Sequence, residues 1–473
     1  MTRSASSQIS FADVEFLAQG ICLEPMLQAI SDFIDQHGHL VDKVRRDLQR
    51  GLKNPNTGRD GLSAQQVLRS FVLQRVKSWK YRELRERIND GYTLRRFTRF
   101  YSKPVPKHDA FNRAFIRLTP VTLEVINELV IQSAVALGLE NGKKLRVDTT
   151  VVETDIHYPT DSTLLWDTVR VVTRLIGGLD ELLPQGVPEF TNRSRSARRR
   201  MQEIMRMAPK ERHRRLVSKY RKLIHTTEQV IGNAREVLKN TERIRSIDLM
   251  TEIAIKAIRK QIDHYCSLGD LVVDQARRRI IHKEQVPNEE KIFSIFETHT
   301  DLIKRGKTLK PVEFGHKVYI AESARGLITQ YEVLDGNPTD DVQVESSLKR
   351  HRETFGRVPK IYSADRGFFS KKNIEHCKKA GVEIVCIPQR GGKKTTEQVS
   401  YEKSLSLKDA QRFRAGIEGR ISVLFRGRGM KRCVAEGRQR FKLLVGAAVL
   451  ANNLMVIARL LTEKQKHRRR RAA

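Results

Sequence analysis

The stretch Lys144-Leu145-Arg146-Val147-Asp148-Thr149-Thr150-Val151-Val152 decides the fold. It follows Gly142, is rich in β-branched residues, and from Val147 onward carries a single charge, Asp148. That pattern predicts a strand with a carboxylate set in apolar surroundings, which is costly unless the group is paired or holds a metal. Further strands are expected on the C-terminal side. FGHKVYIAES (314–323), a turn at Ala324-Arg325-Gly326 and LITQYEVLDG (327–336) read as a β-hairpin. KIYSADRGFFS (360–370) reads as a strand ending in polar residues, and VEIVCIPQ (382–389) as a buried strand. Helices are expected over 341–355, 371–380, 405–424 and 441–461, with Gly381 as a C-cap. The fold class is therefore α/β.

On the N-terminal side, residues 12–140 read as helical. Ser63 is the expected N-cap of a run in which Val67, Leu68, Phe71, Val72 and Val76 form one apolar stripe. A second run pairs apolar Leu84 and Ile88 with charged Arg82, Arg85 and Arg87. Two short helices, the second one basic, resemble a helix-turn-helix, with Arg85 and Arg87 as candidate DNA contacts. The alternative is a packing domain with a solvated basic face. Residues 162–282 carry little strand signal and much Arg, Lys, Glu, Leu and Ile at helical spacing. Within 193–221 only Glu203 and Glu211 offset dense positive charge, which suits a surface that tracks phosphates. Four parts are expected: a helical domain over 1–140, a catalytic domain from 141–161 plus 283–461, a basic helical insertion over 162–282, and a disordered basic tail over 462–473.

The 473 residues contain 89 Lys plus Arg against 55 Asp plus Glu, a formal net charge of +34. A chain this basic repels itself unless polyanions are near, and nucleic acid is the leading partner class. The five cysteines, Cys22, Cys266, Cys377, Cys386 and Cys433, lack CxxC spacing, so neither a disulfide framework nor a clustered zinc site is expected and a reducing compartment fits. Met1–Ser10 is polar, so no secretory signal is expected. The apolar run Leu443–Leu461 contains Asn452, Asn453 and Arg459, which argues for a buried core helix and against a membrane span.

Three acids stand out as candidate catalytic residues and metal ligands: Asp148 in its strand, Asp365 at the end of KIYSAD, and Glu418 within RFRAGIEGRISVLF (412–425). Ligands bind at strand ends of open sheets, and three hard oxygen donors suit Mg²⁺, or Mn²⁺. Cutting a phosphodiester needs a nucleophilic water or hydroxyl, in-line geometry and a stabilised leaving oxyanion; two divalent ions held by carboxylates supply all three. Near Asp148, strand alternation sends Glu153 to the opposite face, which favours Asp148; Asp155 is the runner-up, and Asp161, before Ser162-Thr163, reads as a turn or cap residue. His157 and His316 read as structural, and Trp79 and Trp166 as core. Gly391-Gly392-Lys393-Lys394-Thr395 lacks the first glycine of a phosphate loop and reads as a flexible basic loop.

The segments VDTTVVETDIHYPTDSTLLWD (147–167), PVEFGHKVYIAES (311–323), YSADRGFFS (362–370) and RAGIEGRISVLFRGRGMKRC (414–433) resemble the Asp-Asp-Glu transposases of bacterial insertion sequences. The nearest resemblance is to the ISNCY-type group, whose members also begin with a helical domain like the N-terminal part of InsH-like transposases. It spans roughly residues 20–460. It implies an RNase H-like catalytic domain, a mixed sheet flanked by helices, with Asp148, Asp365 and Glu418 as the catalytic, metal-holding residues. It further implies metal-dependent cleavage of DNA at insertion-sequence ends and strand transfer into target DNA. The expected partners are double-stranded DNA, as terminal inverted repeats and target, and a second copy in a homodimer; the expected place is the bacterial nucleoid, with no membrane. Many relatives carry Tyr-x₂-Arg-x₃-Glu-x₆-Lys around the glutamate. Here Arg414 and Glu418 fit, Gln411 stands at the Tyr position and Phe425 at the Lys position, so Arg426, Arg428 or Lys431 would meet the phosphate together with Arg414. Two other readings stay open: a non-catalytic basic DNA-binding protein, and an RNase H-like nuclease that cuts without joining.

Overall fold

The structure, a computed structural model, describes residues 2–3, 10–20, 22–54, 57, 59–244, 248–304, 311–389, 391 and 396–472. The N-terminal helices are α1 (Phe11–Ala18), α2 (Pro25–Gln36), α3 (Gly38–Gln49), α4 (Ala64–Lys77), α5 (Tyr81–Asp90), α6 (Tyr92–Thr98), α7 (His108–Phe115) and α8 (Pro120–Ala136). Strands β1 (Thr2–Arg3) and β2 (Arg59–Asp60) make a short parallel pair. Ser63 caps α4 as expected: its hydroxyl accepts from the Gln66 amide at 3.2 Å, and the Gln66 side chain accepts from the Ser63 amide at 3.0 Å. Only the turn Ser78-Trp79-Lys80, with Ser78 left-handed at φ 56°, separates α4 from α5.

The central sheet is built from β3 (Lys144–Thr154), β4 (Asp301–Lys304), β5 (Val312–Ser323), β6 (Ile328–Val333), β7 (Ile361–Ser363), β8 (Ile384–Cys386) and β9 (Arg432–Cys433). Its order is β4-β5-β3-β7-β8, with β6 also on β5 and β9 on β3. Pairs β3–β7 and β7–β8 are parallel, whereas β4–β5 and β5–β6 are antiparallel, so the sheet is mixed. The order β6-β5-β3-β7-β8 places the first strand in the middle, hairpin on one side and parallel strands on the other. This is the RNase H-like arrangement. Around it lie α13 (Gln343–Phe355), α14 (Lys371–Lys379), α15 (Thr396–Lys403), α16 (Leu405–Ser422) and α17 (Arg438–Ala472).

The chain divides into two compact units, residues 1–153 with 316–473, and residues 154–315. In the first, α17 packs against α2, α4, α8 and β6, so the N-terminal helices and the sheet share one body. The most apolar window of this helix has mean hydropathy 1.8 and is long enough to span a membrane, yet 89% of it is buried inside the fold. Its asparagines have partners. Asn453 accepts from the Ile328 amide at 2.8 Å and donates to the Ile328 carbonyl at 2.9 Å, which ties the helix to the edge of β6. Where a disordered tail is expected from 462, the helix instead runs on to Ala472. TEKQKHRRRRA contains no Gly, Pro or β-branched residue after Thr462, so nothing local stops it.

The second unit holds α9 (Asp161–Asp180), α10 (Ser194–Met205), α11 (Pro209–Thr241) and α12 (Leu249–Ala276), which pack on one another around Leu164, Leu165, Ile231 and Val272. Its helices enter the chain between β3 and β5, where a helical insertion is read in the sequence.

Candidate active site

Parallel pairing fixes the first two acids. Arg146 on β3 stands opposite Ser363 on β7. Two residues past this last pair come Asp148 on β3 and Asp365 just beyond β7, near enough for the charge of Asp365 to act on Asp148. Asp365 caps a turn of 3₁₀ helix over Arg366–Phe368, where its Oδ1 accepts from the Gly367 amide at 2.7 Å. The Asp148 Oδ1 accepts from the Thr149 amide at 2.7 Å. Burial, then the charge of Asp365, push the Asp148 carboxyl up to about 6; the Thr149 amide and the Arg414 guanidinium pull the other way.

A third carboxylate stands at this place that sequence reasoning missed. Asp340 lies just before α13, accepts from the Thr149 hydroxyl at 2.8 Å and pairs with Lys317 Nζ at 2.8 Å. Its charge also raises Asp148. A Cβ on Gly367 would stand 2.8 Å from Asp340 Oδ2 and 2.9 Å from Asp365 Oδ1, so only glycine lets this turn pass between the two carboxylates. Asn337-Pro338-Thr339-Asp340 reads as turn and helix-start chemistry, which hid the residue.

Glu418 is placed differently. Its side chain is 75% exposed, and it faces Arg414 Nη2 at 3.9 Å, one turn back along α16. Arg414 therefore interacts with both Glu418 and Asp148. Among the described residues, no three His, Cys, Asp or Glu side chains stand close enough together to hold one ion. Of the three acids read from the sequence, Asp148 and Asp365 are the two brought together, with Asp340 beside them. Two adjacent carboxylates, one of them with its proton affinity raised by the other, are a donor set that suits a hard divalent cation.

The decoys near Asp148 have other partners. Glu153 is held by Arg432 at 2.9 Å, and Asp161 by Arg279 at 2.8 Å and Gln275 at 2.9 Å. Asp155 is exposed beyond the end of β3. His157 meets Asp167 at 2.6 Å, and His316 is buried against Phe441. Trp79 and Trp166 are partly buried against the two helical cores. Among the candidate phosphate contacts, Arg426 and Lys431 are exposed, while Arg428 Nη1 donates to the Val76 carbonyl at 3.0 Å at the end of α4. Arg87 is exposed beside Glu83, and Arg85 is half-buried. Of the basic loop, residues 392–395 lie outside the described residues.

Residues 21–117 match the family model described as Transposase domain (DUF772), and residues 295–454 match the Transposase DDE domain. The chain belongs to the DDE transposases of insertion sequences. The DDE match contains Asp365 and Glu418, whereas Asp148 lies between the two matched spans. No curated protein and no solved structure matches the chain. Transposases of this family act on DNA and generally use a divalent metal, in keeping with the transposase's excess of 89 basic over 55 acidic residues.

Proposed function

We propose that this transposase cuts DNA at the ends of its insertion sequence and joins the freed ends to target DNA, with Asp148, Asp365 and Glu418 as its catalytic acids. The observation that carries the reading is the Asp148–Asp365 pair, Asp148 within β3 just past its pairing with β7 and Asp365 just past the carboxyl end of β7, with Asp148 pushed up to about 6. These two acids, with Glu418 as third donor, would hold Mg²⁺ or Mn²⁺. When bound, the metal supplies a Lewis acid and lowers the pKa of the attacking water or hydroxyl. Asp148 must be ionised to take part, so its raised proton affinity sets the acid limit of the reaction. Arg414, between Asp148 and Glu418, offers its guanidinium to the scissile phosphate, with exposed Arg426 and Lys431 nearby in sequence. Hydrolysis of one phosphodiester frees a hydroxyl, and attack of that hydroxyl on a second phosphodiester exchanges one P–O bond for another. Omission of the divalent ion should leave DNA binding and abolish both steps. Cutting without joining would favour the nuclease reading, and binding alone, unchanged by chelator, the architectural one.

The same reading puts the transposase, as a homodimer, on double-stranded DNA of a bacterial nucleoid. Arg195, Arg198 and Arg199 on α10 are exposed, as are Lys464, Lys466, His467 and Arg468 at the end of α17. Cations of this kind hold phosphates without reading bases. Deletion of residues 465–473 should weaken binding to end DNA and random DNA alike, and lower the slope of log K against log salt by about 0.9 for each phosphate no longer neutralised. Arg87→Ala on α5 should instead reduce the preference for end DNA over random DNA. Affinities for both DNAs at two salt concentrations check this; the reverse pattern would exchange the two roles.

A further inference from the structure

Glu322 on β5 is wholly buried, at 0% exposure, between two arginines. Arg146 reaches its Oε2 with both Nε and Nη2 at 2.7 Å, and Arg420 reaches its Oε1 with Nε at 2.8 Å. Arg146 lies on β3 two residues before Asp148, and Arg420 lies on α16 two residues after Glu418. The single carboxylate thus joins the strand of one proposed catalytic acid to the helix of another.

Each arginine also grips a second element. Arg146 Nη1 donates to the Phe413 carbonyl of α16 at 2.6 Å, and its guanidinium lies over the Phe413 ring, 4.8 Å from the centroid. A Cβ on Gly416 would come within 2.1 Å of Arg146 Nη1, so α16 approaches β3 this closely only because residue 416 has no side chain. Arg420 Nη1 donates to Asn452 Oδ1 of α17 at 2.9 Å.

A buried ion pair is often no more stabilising than apolar side chains of the same volume, because desolvation offsets the attraction. What this cluster supplies that apolar packing does not is direction. Its hydrogen bonds fix the height of α16 along β3 and its rotation about its own axis. We propose that Glu322 is a positioning residue, which holds α16, and with it Glu418 and Arg414, in register with Asp148. Glu322 has this role only if Asp148 and Glu418 serve one site, as proposed above.

The test is Mn²⁺ binding to the full chain, followed by loss of the free-ion electron paramagnetic resonance signal, beside cleavage and binding of end DNA. Glu322→Gln keeps the size of the side chain but removes its charge. It should weaken Mn²⁺ binding about 10-fold or more, and slow cleavage at fixed metal by about 10²-fold, with end-DNA affinity retained. Arg420→Gln leaves one carboxylate facing one guanidinium, so the buried charge stays balanced while α16 loses its own tie to Glu322. It should shift Mn²⁺ affinity in the same direction, and it carries the test if Glu322→Gln does not fold. A merely structural role would lower melting temperature and the yield of active protein, and leave the Mn²⁺ affinity of the folded fraction unchanged; that result overturns the proposal. Asp365→Asn is the control. If it still cuts DNA, the site reading fails. If it is inactive while both clamp variants bind Mn²⁺ as the unaltered chain does, Glu322 alone loses its role.

Discussion

Asp365→Asn should leave the transposase able to bind its end DNA and unable to cut it. The substitution keeps the side chain's size and its capped turn, since an amide oxygen can still accept from the Gly367 amide that now donates at 2.7 Å. What it removes is the negative charge facing Asp148. Without it the pair no longer offers two anionic donors to a divalent ion, and the ion's share of the rate goes with them. A loss of roughly 10³-fold or more in strand cleavage is expected from an effect of this class. Binding to end DNA should hold or tighten slightly, because one source of repulsion toward phosphate is gone. A gel shift and a cleavage assay on one preparation read both quantities, and retained cleavage would remove Asp365 from the site.

Asp148→Asn should likewise abolish cleavage, and it should also make the protein more stable. The Asp148 carboxyl is raised from its ordinary 3.8 to about 6, chiefly by burial and then by Asp365. The folded state therefore binds this proton more tightly than the unfolded chain does. Between about pH 4 and pH 6 the unfolded chain has released the proton while the folded protein still holds it, so stability falls as pH rises through that window. Above pH 6 the full cost is present, on the order of 3 kcal/mol for a shift of this size. The asparagine carries no such cost. Its stabilisation should be largest at pH 7–8 and vanish below about pH 3, where Asp148 is protonated in both states. Denaturant midpoints of the two proteins across this range decide the matter. A variant that is less stable at pH 8 would mean that the Asp148 charge is compensated in the folded state.

Much of this arrangement is legible in the residues. A charge inside a β-branched run announces Asp148, and the strand KIYSAD ending in an acid announces Asp365. The hairpin about Ala324-Arg325-Gly326 is plain because both strands are apolar and the turn is not. Asn452 and Asn453 argue against a membrane span, and Asn453 hydrogen-bonds the backbone of β6. Other features depend on partners distant in the chain. Glu322 sits in an apolar strand as Asp148 does, and the same reasoning applied to VYIAES would have singled it out. Its two arginines lie 176 and 98 residues away, and no local pattern joins them. Asp340 is hidden because a Thr-Asp pair before a helix is ordinary capping chemistry. Helical spacing puts Arg414 and Glu418 on one face of α16, but which way that face turns is fixed by Arg146, Gly416 and Ser363, whose hydroxyl donates to the Ala410 carbonyl at 3.2 Å. The tail's helix follows from the absence of any stop signal, which charge alone concealed.

The central claim is that Asp148 and Asp365 form the metal-holding centre of a DNA-cutting site. Crystals of the transposase grown with end DNA and Mn²⁺ would test it most directly, through the anomalous scattering of the ion. The expected result is a peak about 2–2.5 Å from carboxylate oxygens of both Asp148 and Asp365, with Glu418 drawn toward it from its present place beside Arg414. Manganese bound elsewhere on the chain, with Lys317 still paired to Asp340 and no peak between Asp148 and Asp365, would contradict it.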